Sequence, residues 1–417
     1  MGISKINSGE KLVRWTIEDA KELYGIKNWS NGYFDISEKG EVVVQIKKNG
    51  DIFRKSLVDI IDGVKKRGIT FPLLLRFSDI LDSRIRLINE AFASAIKNYN
   101  YKGVYRGVYP IKVNQQQQVV EEITKYGFQY HHGLEAGSKA ELIAAIAYLK
   151  DPEAYLICNG YKDEEFIDLA LNSLKLGMQT IIVLEMPNEI QMVINRAKEL
   201  GIKPKIGVRI KLSSKSGGHW SESGGDRSVF GLSSSELIEV IDYLKNENML
   251  DCLQLLHYHI GSQISNIRNI REAALEAARI YVNLKKEGAN MQIIDIGGGL
   301  AVDYDGSHSN FPSSSNYTIE EYCEDIIETF ISVSEEEGVP HPNIISESGR
   351  AIVAYYSVLL FNILDVSHFE VNKLPKLPNE NIHEMIKNLL ELTKIISSKN
   401  LQECYNDALF YRDEIKS

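Results

Sequence analysis

One unit recurs along the middle of this chain: a short apolar run, a polar or glycine-bearing turn, then a stretch with helical apolar spacing. Between about 104 and 367 the runs are Gly107-to-Val113, Tyr130-to-Leu134, Tyr155-to-Cys158, Thr180-to-Leu184, Ile206-to-Ile210, Leu253-to-His259, Gln292-to-Ile296 and Asn343-to-Ser346. Strands that alternate with helices imply a parallel sheet, because two parallel strands can be joined only by a long crossover. Eight such units in a row predict an α/β chain whose centre is a closed (β/α)8 barrel of the TIM type. The alternative, an open doubly wound sheet, has fewer units and a single glycine-rich crossover.

The flanks differ from the centre. Residues 1 to about 70 read as short strands and turns: Tyr33-Phe34-Asp35-Ile36, then Val42-Val43-Val44-Gln45-Ile46, broken by Lys48-Asn49-Gly50-Asp51. The Asn-Gly is a hairpin signal. After Pro72, apolar residues at Leu73, Leu74, Phe77, Ile80, Leu81, Ile85 and Ile88 predict a leading helix. From 368 onward Lys373-Leu374-Pro375-Lys376-Leu377-Pro378 reads as a linker, and two helical patterns follow, one around Ile382 to Leu392 and one from Leu401 to Ile415. The second carries no glycine stop, which predicts that the chain ends inside a larger helical element. The expected boundaries are therefore 1–70, 71–367 and 368–417.

Composition narrows the function. A chain 44% apolar and 25% charged is a globular protein, and a net charge of −10 disfavours nucleic acid or an anionic membrane as its main partner. No apolar run reaches the length of a membrane span and the start lacks a signal-peptide core. Cys158, Cys252, Cys323 and Cys404 show no metal-finger spacing and read as buried free thiols, with the cytoplasm as the expected compartment.

Barrel enzymes carry their working groups at the C-terminal ends of the strands. The residues that close the runs are Lys112, Glu135, Asn159, Glu185, Arg209, His259, Gly297-Gly298-Gly299 and Glu347, an unusually polar set. A desolvated Lys112 has a lowered pKa and an amine free for Schiff-base chemistry, although spacing alone favours a lysine that snorkels out of the strand end. Three glycines after the seventh strand let backbone N–H groups approach a phosphate, or make a plain tight turn. Glu347 could hold a ring nitrogen protonated while Arg350 pairs with a phosphate, or the two form an ordinary surface pair. His257 and His259 lie on one strand face, but no third ligand stands at metal-site spacing, so an imidazole stacked on an aromatic cofactor is the better reading of His259. The Gly- and Ser-rich stretch Ser213-to-Gly231, with Trp220 in it, reads as an active-site lid.

Taken together, six motifs make the chain resemble the alanine-racemase-type barrel decarboxylases that use pyridoxal phosphate, and within them the biosynthetic arginine decarboxylases. They are YPIKVNQQ (109–116), GLEAGSKAEL (133–142), SGG-x-x-S-x-FGL (223–232), LHYHIGSQI (256–264), DIGGGLAVDYDGS (295–307) and PHPNIISESGRA (340–351). The resemblance implies pyridoxal 5'-phosphate as cofactor, arginine as substrate, agmatine as product, a role in polyamine biosynthesis and a homodimer or larger homo-oligomer. It also implies a Mg2+ requirement with no site indicated. Position by position, it makes Lys112 the Schiff-base lysine, stacks His259 on the ring and sets Glu347 at the pyridine nitrogen. Ser262, Gly297, Gly298, Gly299 and Arg350 then hold the phosphate, and Glu135 and Arg209 support the ring. The segment Asp295, Ile296, Gly297, Gly298, Gly299, Leu300, Ala301, Val302, Asp303, Tyr304 lines the substrate pocket.

Three departures stand out. Val229 in Ser228-Val229-Phe230-Gly231 takes a place where relatives often have lysine, and Tyr355-Tyr356 follow where many have histidine. None of the four cysteines sits in the Cys-Asp context that the family's C-terminal β domain supplies. The resemblance therefore implies a chain without that domain, whose strands in 1–70 belong to it, and which alone has little decarboxylase activity. Ornithine or diaminopimelate as substrate, or a non-catalytic cofactor-binding homologue, are the alternatives.

Overall fold

The computed structural model describes residues 15–48, 50–213, 228–367 and 382–417. Most of the expected lid, Trp220 included, and the Lys373-to-Pro378 linker lie outside the described residues. Two compact units divide between Phe361 and Asn362.

The first unit opens with α1 (Ile17–Tyr24), started by a reciprocal cap: the Thr16 hydroxyl accepts from the Asp19 N–H and the Asp19 carboxylate accepts from the Thr16 N–H. A single turn, α2 (Ile26–Trp29), leads to an antiparallel sheet of β1 (Phe34–Ile36), β2 (Val42–Lys48) and β3 (Asp51–Ser56). Lys48 pairs with Asp51 across the turn that Asn-Gly predicts. Then comes α3 (Leu57–Lys66), whose Leu57, Ile60, Ile61 and Val64 follow a helical period and whose first N–H groups bond the Ser56 hydroxyl. These helices correct the reading of residues 1–70 as strands and turns only. The stretch after Pro72 is corrected too. Leu73–Arg76 is a strand, β4, and the helix, α4, runs Ser78–Asn98.

The barrel closes as expected. Its eight parallel strands are β5 (Tyr105–Pro110), β6 (Gly133–Ala136), β7 (Tyr155–Cys158), β8 (Gln179–Leu184), β9 (Ile206–Ile210), β10 (Leu253–Tyr258), β11 (Ile293–Asp295) and β12 (Asn343–Ser346), and β12 pairs back onto β5. A helix follows each in turn: α5 (Gln117–Gly127), α6 (Lys139–Tyr148), α7 (Glu164–Lys175), α8 (Glu189–Leu200), α9 (Ser234–Asn246), α10 (Ile267–Lys286), α11 (Ile319–Glu336) and the short α12 (Gly349–Val353). Finally β13 (Ser357–Leu360) pairs antiparallel with β4.

Two cores result. Val108, Ile157, Ile181, Val183, Leu255, Ile293 and Ile345 fill the inside of the barrel, and a larger apolar layer joins the strands to the helices. In the outer layer Phe92 of α4 stacks on Tyr105 of β5 with ring centroids 3.8 Å apart. Beside it the His132 ring fills a slot left by two glycines. A Cβ on Gly107 would stand 2.3 Å from its Nδ1, and one on Gly127 would stand 2.5 Å from its Cβ. The four cysteines are free and buried, as expected.

The second unit has α13 (Glu384–Ile395) and α14 (Leu401–Lys416), the two expected helices. Among the described residues no helix is long and apolar enough to cross a membrane.

Candidate active site

The polar residues predicted at strand ends converge on the C-terminal rim of the barrel. β5 stops at Pro110, earlier than the run to Val113 suggests, and Ile111–Val113 form one tight 3-10 turn. That turn carries Lys112 over the rim, where its Nζ donates to Glu135 Oε2 at 2.8 Å. Glu135, the penultimate residue of β6, is buried, while the Lys112 side chain is 55% exposed. Burial by itself depresses the Lys112 ammonium, but the Glu135 and Glu347 carboxylates outweigh it and hold the amine above its ordinary range. Of the two readings of Lys112, the desolvated amine with a lowered pKa is therefore not the one the rim favours.

Around the rim the partners are specific. Asn159, just past β7, donates from Nδ2 to Glu347 Oε1 at 2.8 Å. Arg209 on β9 donates to Glu185 Oε1 at 2.7 Å and lies over the Phe230 ring. Past β10, His259 Nδ1 accepts from the Gly298 N–H at 3.2 Å, which places its own proton on Nε2, and burial pushes the ring well below its ordinary pKa. After β11, Gly297 (φ 64°) and Gly299 (φ 112°) take left-handed backbone that a side chain would strain. A Cβ on Gly298 would stand 3.2 Å from Glu347 O and 3.3 Å from His259 Cε1, so the loop passes close beneath both. Arg350, three residues after Glu347, donates to Ser262 Oγ at 3.0 Å and to Tyr304 Oη at 3.0 Å.

These groups surround one cavity of about 430 Å³, lined by Lys112, His259, Ser262, Glu347, Arg350 and Tyr304 together with Gly298, Gly299 and Leu300. A groove of about 470 Å³ between α9 and α10 is slightly larger, but half of its lining is Ile and Leu and it holds none of the polar residues predicted at the strand ends.

Not every expected residue lines the cavity itself. Glu135, Arg209, Asp295 and Gly297 stand behind the cavity lining rather than in it. Of the segment 295–304, Ile296 and Val302 are buried in the core, and the Ala301 N–H bonds Tyr317 Oη. The Asp303 carboxylate is spent on the Gly306 N–H and the Ser314 hydroxyl.

Sequence reasoning missed the roles of Asn159 and Glu185, both visible at strand ends, and the pairing of Gln263 with Val302. The Gln263 amide donates to Val302 O and accepts from Val302 N–H. It also missed a third group beside His257. One ligand atom from each of His257, Asp295 and Glu347 lies within 4.8 Å of the others.

The chemistry of this donor set fits pyridoxal 5'-phosphate. It offers an amine, a neutral flat imidazole and a buried carboxylate, plus a guanidinium and hydroxyl next to a glycine loop. Glu135 Oε1 and Asn159 Oδ1 are buried polar atoms without a hydrogen-bond partner.

Comparison with known proteins agrees. Residues 85–354 match the family model "Pyridoxal-dependent decarboxylase, pyridoxal binding domain", and 379–417 match "Arginine decarboxylase helical bundle domain". Biosynthetic arginine decarboxylase of Gloeobacter violaceus is 48% identical over 97% of this chain and 62% of that protein. The enzyme of the same name from Phocaeicola vulgatus is 46% identical over 96% of this chain and 64% of its own length. The chain thus spans less than two thirds of these relatives. Among solved structures, biosynthetic arginine decarboxylase from Campylobacter jejuni superposes with TM-score 0.77 at 35% identity, covering 94% of this chain and 64% of that one. Diaminopimelate decarboxylase from Helicobacter pylori shares the fold at TM-score 0.58 and 23% identity, over 72% of this chain and 68% of that one. An eight-stranded barrel with this rim, matched over most of its length, means that the chain belongs to the pyridoxal-dependent decarboxylases, with their pyridoxal-binding domain at residues 85–354.

Proposed function

We propose that the chain binds pyridoxal 5'-phosphate through Lys112 and serves the decarboxylation of L-arginine to agmatine and CO2. The observation that carries this is the meeting of Lys112, Glu347 and Arg350 on one cavity at the barrel rim.

When bound, the cofactor supplies a protonated pyridine ring that takes up the negative charge left at the substrate Cα as CO2 departs. The chain's residues divide the remaining work. Lys112 supplies the attaching amine, and Glu135 sets its protonation and reach. Glu347, fixed by Asn159, would hold the proton of the ring nitrogen. His259 presents a flat uncharged face to the ring, its orientation set by the Gly298 N–H. Arg350, Ser262 and the glycine loop 297–299 receive the phosphate, with charge-assisted bonds from the guanidinium. Glu185 locks Arg209 behind the ring. Tyr304 and Leu300 line the same cavity. A homo-oligomer, a Mg2+ requirement and a cytoplasmic location belong to the same proposal.

The test is chemical. Borohydride reduction of the cofactor-loaded protein followed by peptide mapping should place the label on Lys112, and Lys112→Ala should carry none. Label retained in that variant refutes the assignment. Incubation with L-arginine, L-ornithine and diaminopimelate should change the cofactor's visible absorption at the lowest concentration for arginine, with agmatine, formed slowly by this chain alone, as the product. Putrescine or lysine as the main product would move the chain to another branch of the family.

A further inference from the structure

Of the ionisable groups described under the cavity, His257 and Asp295 have no part in the reading above. His257 is 1% exposed, Asp295 is fully buried, and Glu347 is 5% exposed. His257 and Asp295 are register partners on the adjacent parallel strands β10 and β11, with His257 Nδ1 3.2 Å from Asp295 Oδ2. The other oxygen of Asp295 accepts the Gly297 N–H at 2.9 Å, and Glu347 Oε1 accepts from Asn159. Among the described residues neither Asp295 Oδ2 nor His257 Nδ1 has a hydrogen-bond partner, their own 3.2 Å approach being a close contact and not a formed hydrogen bond.

A charge inventory shows why this matters. His257 is faced by Arg209 on β9, Glu185 after β8, Glu135 on β6, Asp295 on β11 and Glu347 after β12, with His259 and Lys112 above. Arg209 is paired with Glu185, and Lys112 with Glu135. Among the described residues Asp295 and Glu347 remain, two buried carboxylates with no cation paired to either, Lys112 acting on them only through space. Carrying both ionised is costly, so the pair holds a proton. A ring nitrogen facing Glu347 can offset one negative charge but not two. Where the remaining proton resides decides how much anion that nitrogen sees.

We propose that His257 is a positioning residue whose Nδ1 accepts a hydrogen bond from a protonated Asp295, Oδ2–H, drawing that proton away from Glu347 and leaving Glu347 as the single carboxylate beneath the cofactor ring. Burial drives the two groups the matching way, lowering His257 to about 4 and raising Asp295 to about 7, so the proton belongs to the carboxyl and the imidazole is neutral. Glu347 is the competing acceptor within reach of Asp295. Without the imidazole, Asp295 turns its proton to Glu347 and weakens its hold on the ring nitrogen. The inference rests on the cavity being the cofactor site.

The experiment reads that nitrogen directly. The protein is loaded with pyridoxal phosphate labelled with 15N in the ring, and the 15N resonance is followed against pH for wild type, His257→Leu, His257→Asn and Asp295→Asn. Borohydride labelling at Lys112 is measured in parallel. His257→Leu should lower the titration of the ring nitrogen by about one pH unit. His257→Asn keeps an acceptor near Nδ1 and should restore the wild-type position. Asp295→Asn, whose amide N–H replaces the carboxyl proton, should stay within a few tenths of wild type. An unmoved titration in His257→Leu, or a drop in Asp295→Asn as large as that expected for His257→Leu, overturns the inference. If His257→Leu does not load, Asp295→Asn and His257→Asn still decide it. Absence of label on wild-type Lys112 defeats the cofactor reading instead.

Discussion

Acidification from pH 7.5 to pH 5 should cost this fold about 2 kcal/mol through a single side chain, His132. The ring is buried in the slot between Gly107 and Gly127, and among the described residues neither of its nitrogens has a hydrogen-bond partner. Burial pushes its pKa down to about 4 from an ordinary value near 6.5. A folded-state value below the unfolded one means that the unfolded chain binds the proton first. The stabilisation is therefore complete above about pH 6.5 and is lost as pH falls toward 4, at up to about 1.4 kcal/mol per pH unit. Other buried groups titrate in the same window, so the informative quantity is a difference of differences. Urea unfolding at pH 7.5 and pH 5, followed by far-ultraviolet circular dichroism, should show His132→Leu losing about 2 kcal/mol less than wild type over that interval. At pH 7.5 the variant should be somewhat less stable, because Leu does not match the planar slot. Equal pH dependence in the two proteins would refute the reasoning, since the ring would then be either solvated or already paired.

Further outcomes follow from other parts of the structure. Arg350→Ala removes the guanidinium that bonds Ser262 and Tyr304, and should weaken pyridoxal phosphate binding roughly 10- to 100-fold, measured by quenching of intrinsic fluorescence. Lys162→Met strands the buried Glu189 carboxylate, which Lys162 Nζ meets at 3.3 Å, and should cost about 3–5 kcal/mol by urea unfolding. Phe92→Ala, which deletes the ring stacked on Tyr105, should cost about 3–5 kcal/mol in the same assay.

The barrel was readable because each strand is a short apolar run with turn residues at its end, a pattern set by local sequence. The rim was readable for the same reason: whatever closes such a run faces the loops, so Lys112, Glu135, Glu347 and Arg209 were found without knowing their neighbours. Long-range pairing was not readable. Leu73, Leu74 and Phe77 fit a helical period, and nothing local says that Leu73–Arg76 pairs with Ser357–Leu360. The third member of the His257 cluster was hidden likewise. Asp295 meets His257 only because β10 and β11 are neighbours in register, a relation that spacing along the chain does not encode. The protonation of Lys112 was not readable either, because spacing along the chain does not place the Glu135 carboxylate 2.8 Å from its amine.

The closure of β12 onto β5, Ser346 beside Gly107, has a consequence for synthesis. The first barrel strand leaves the ribosome long before the last. At roughly 5–20 residues per second its outer edge waits on the order of ten to fifty seconds for a partner. During that interval an unmated row of amides is open to other nascent chains, so slower translation upstream of Asn343 should raise the aggregated fraction, whereas slowing after Leu360 should not.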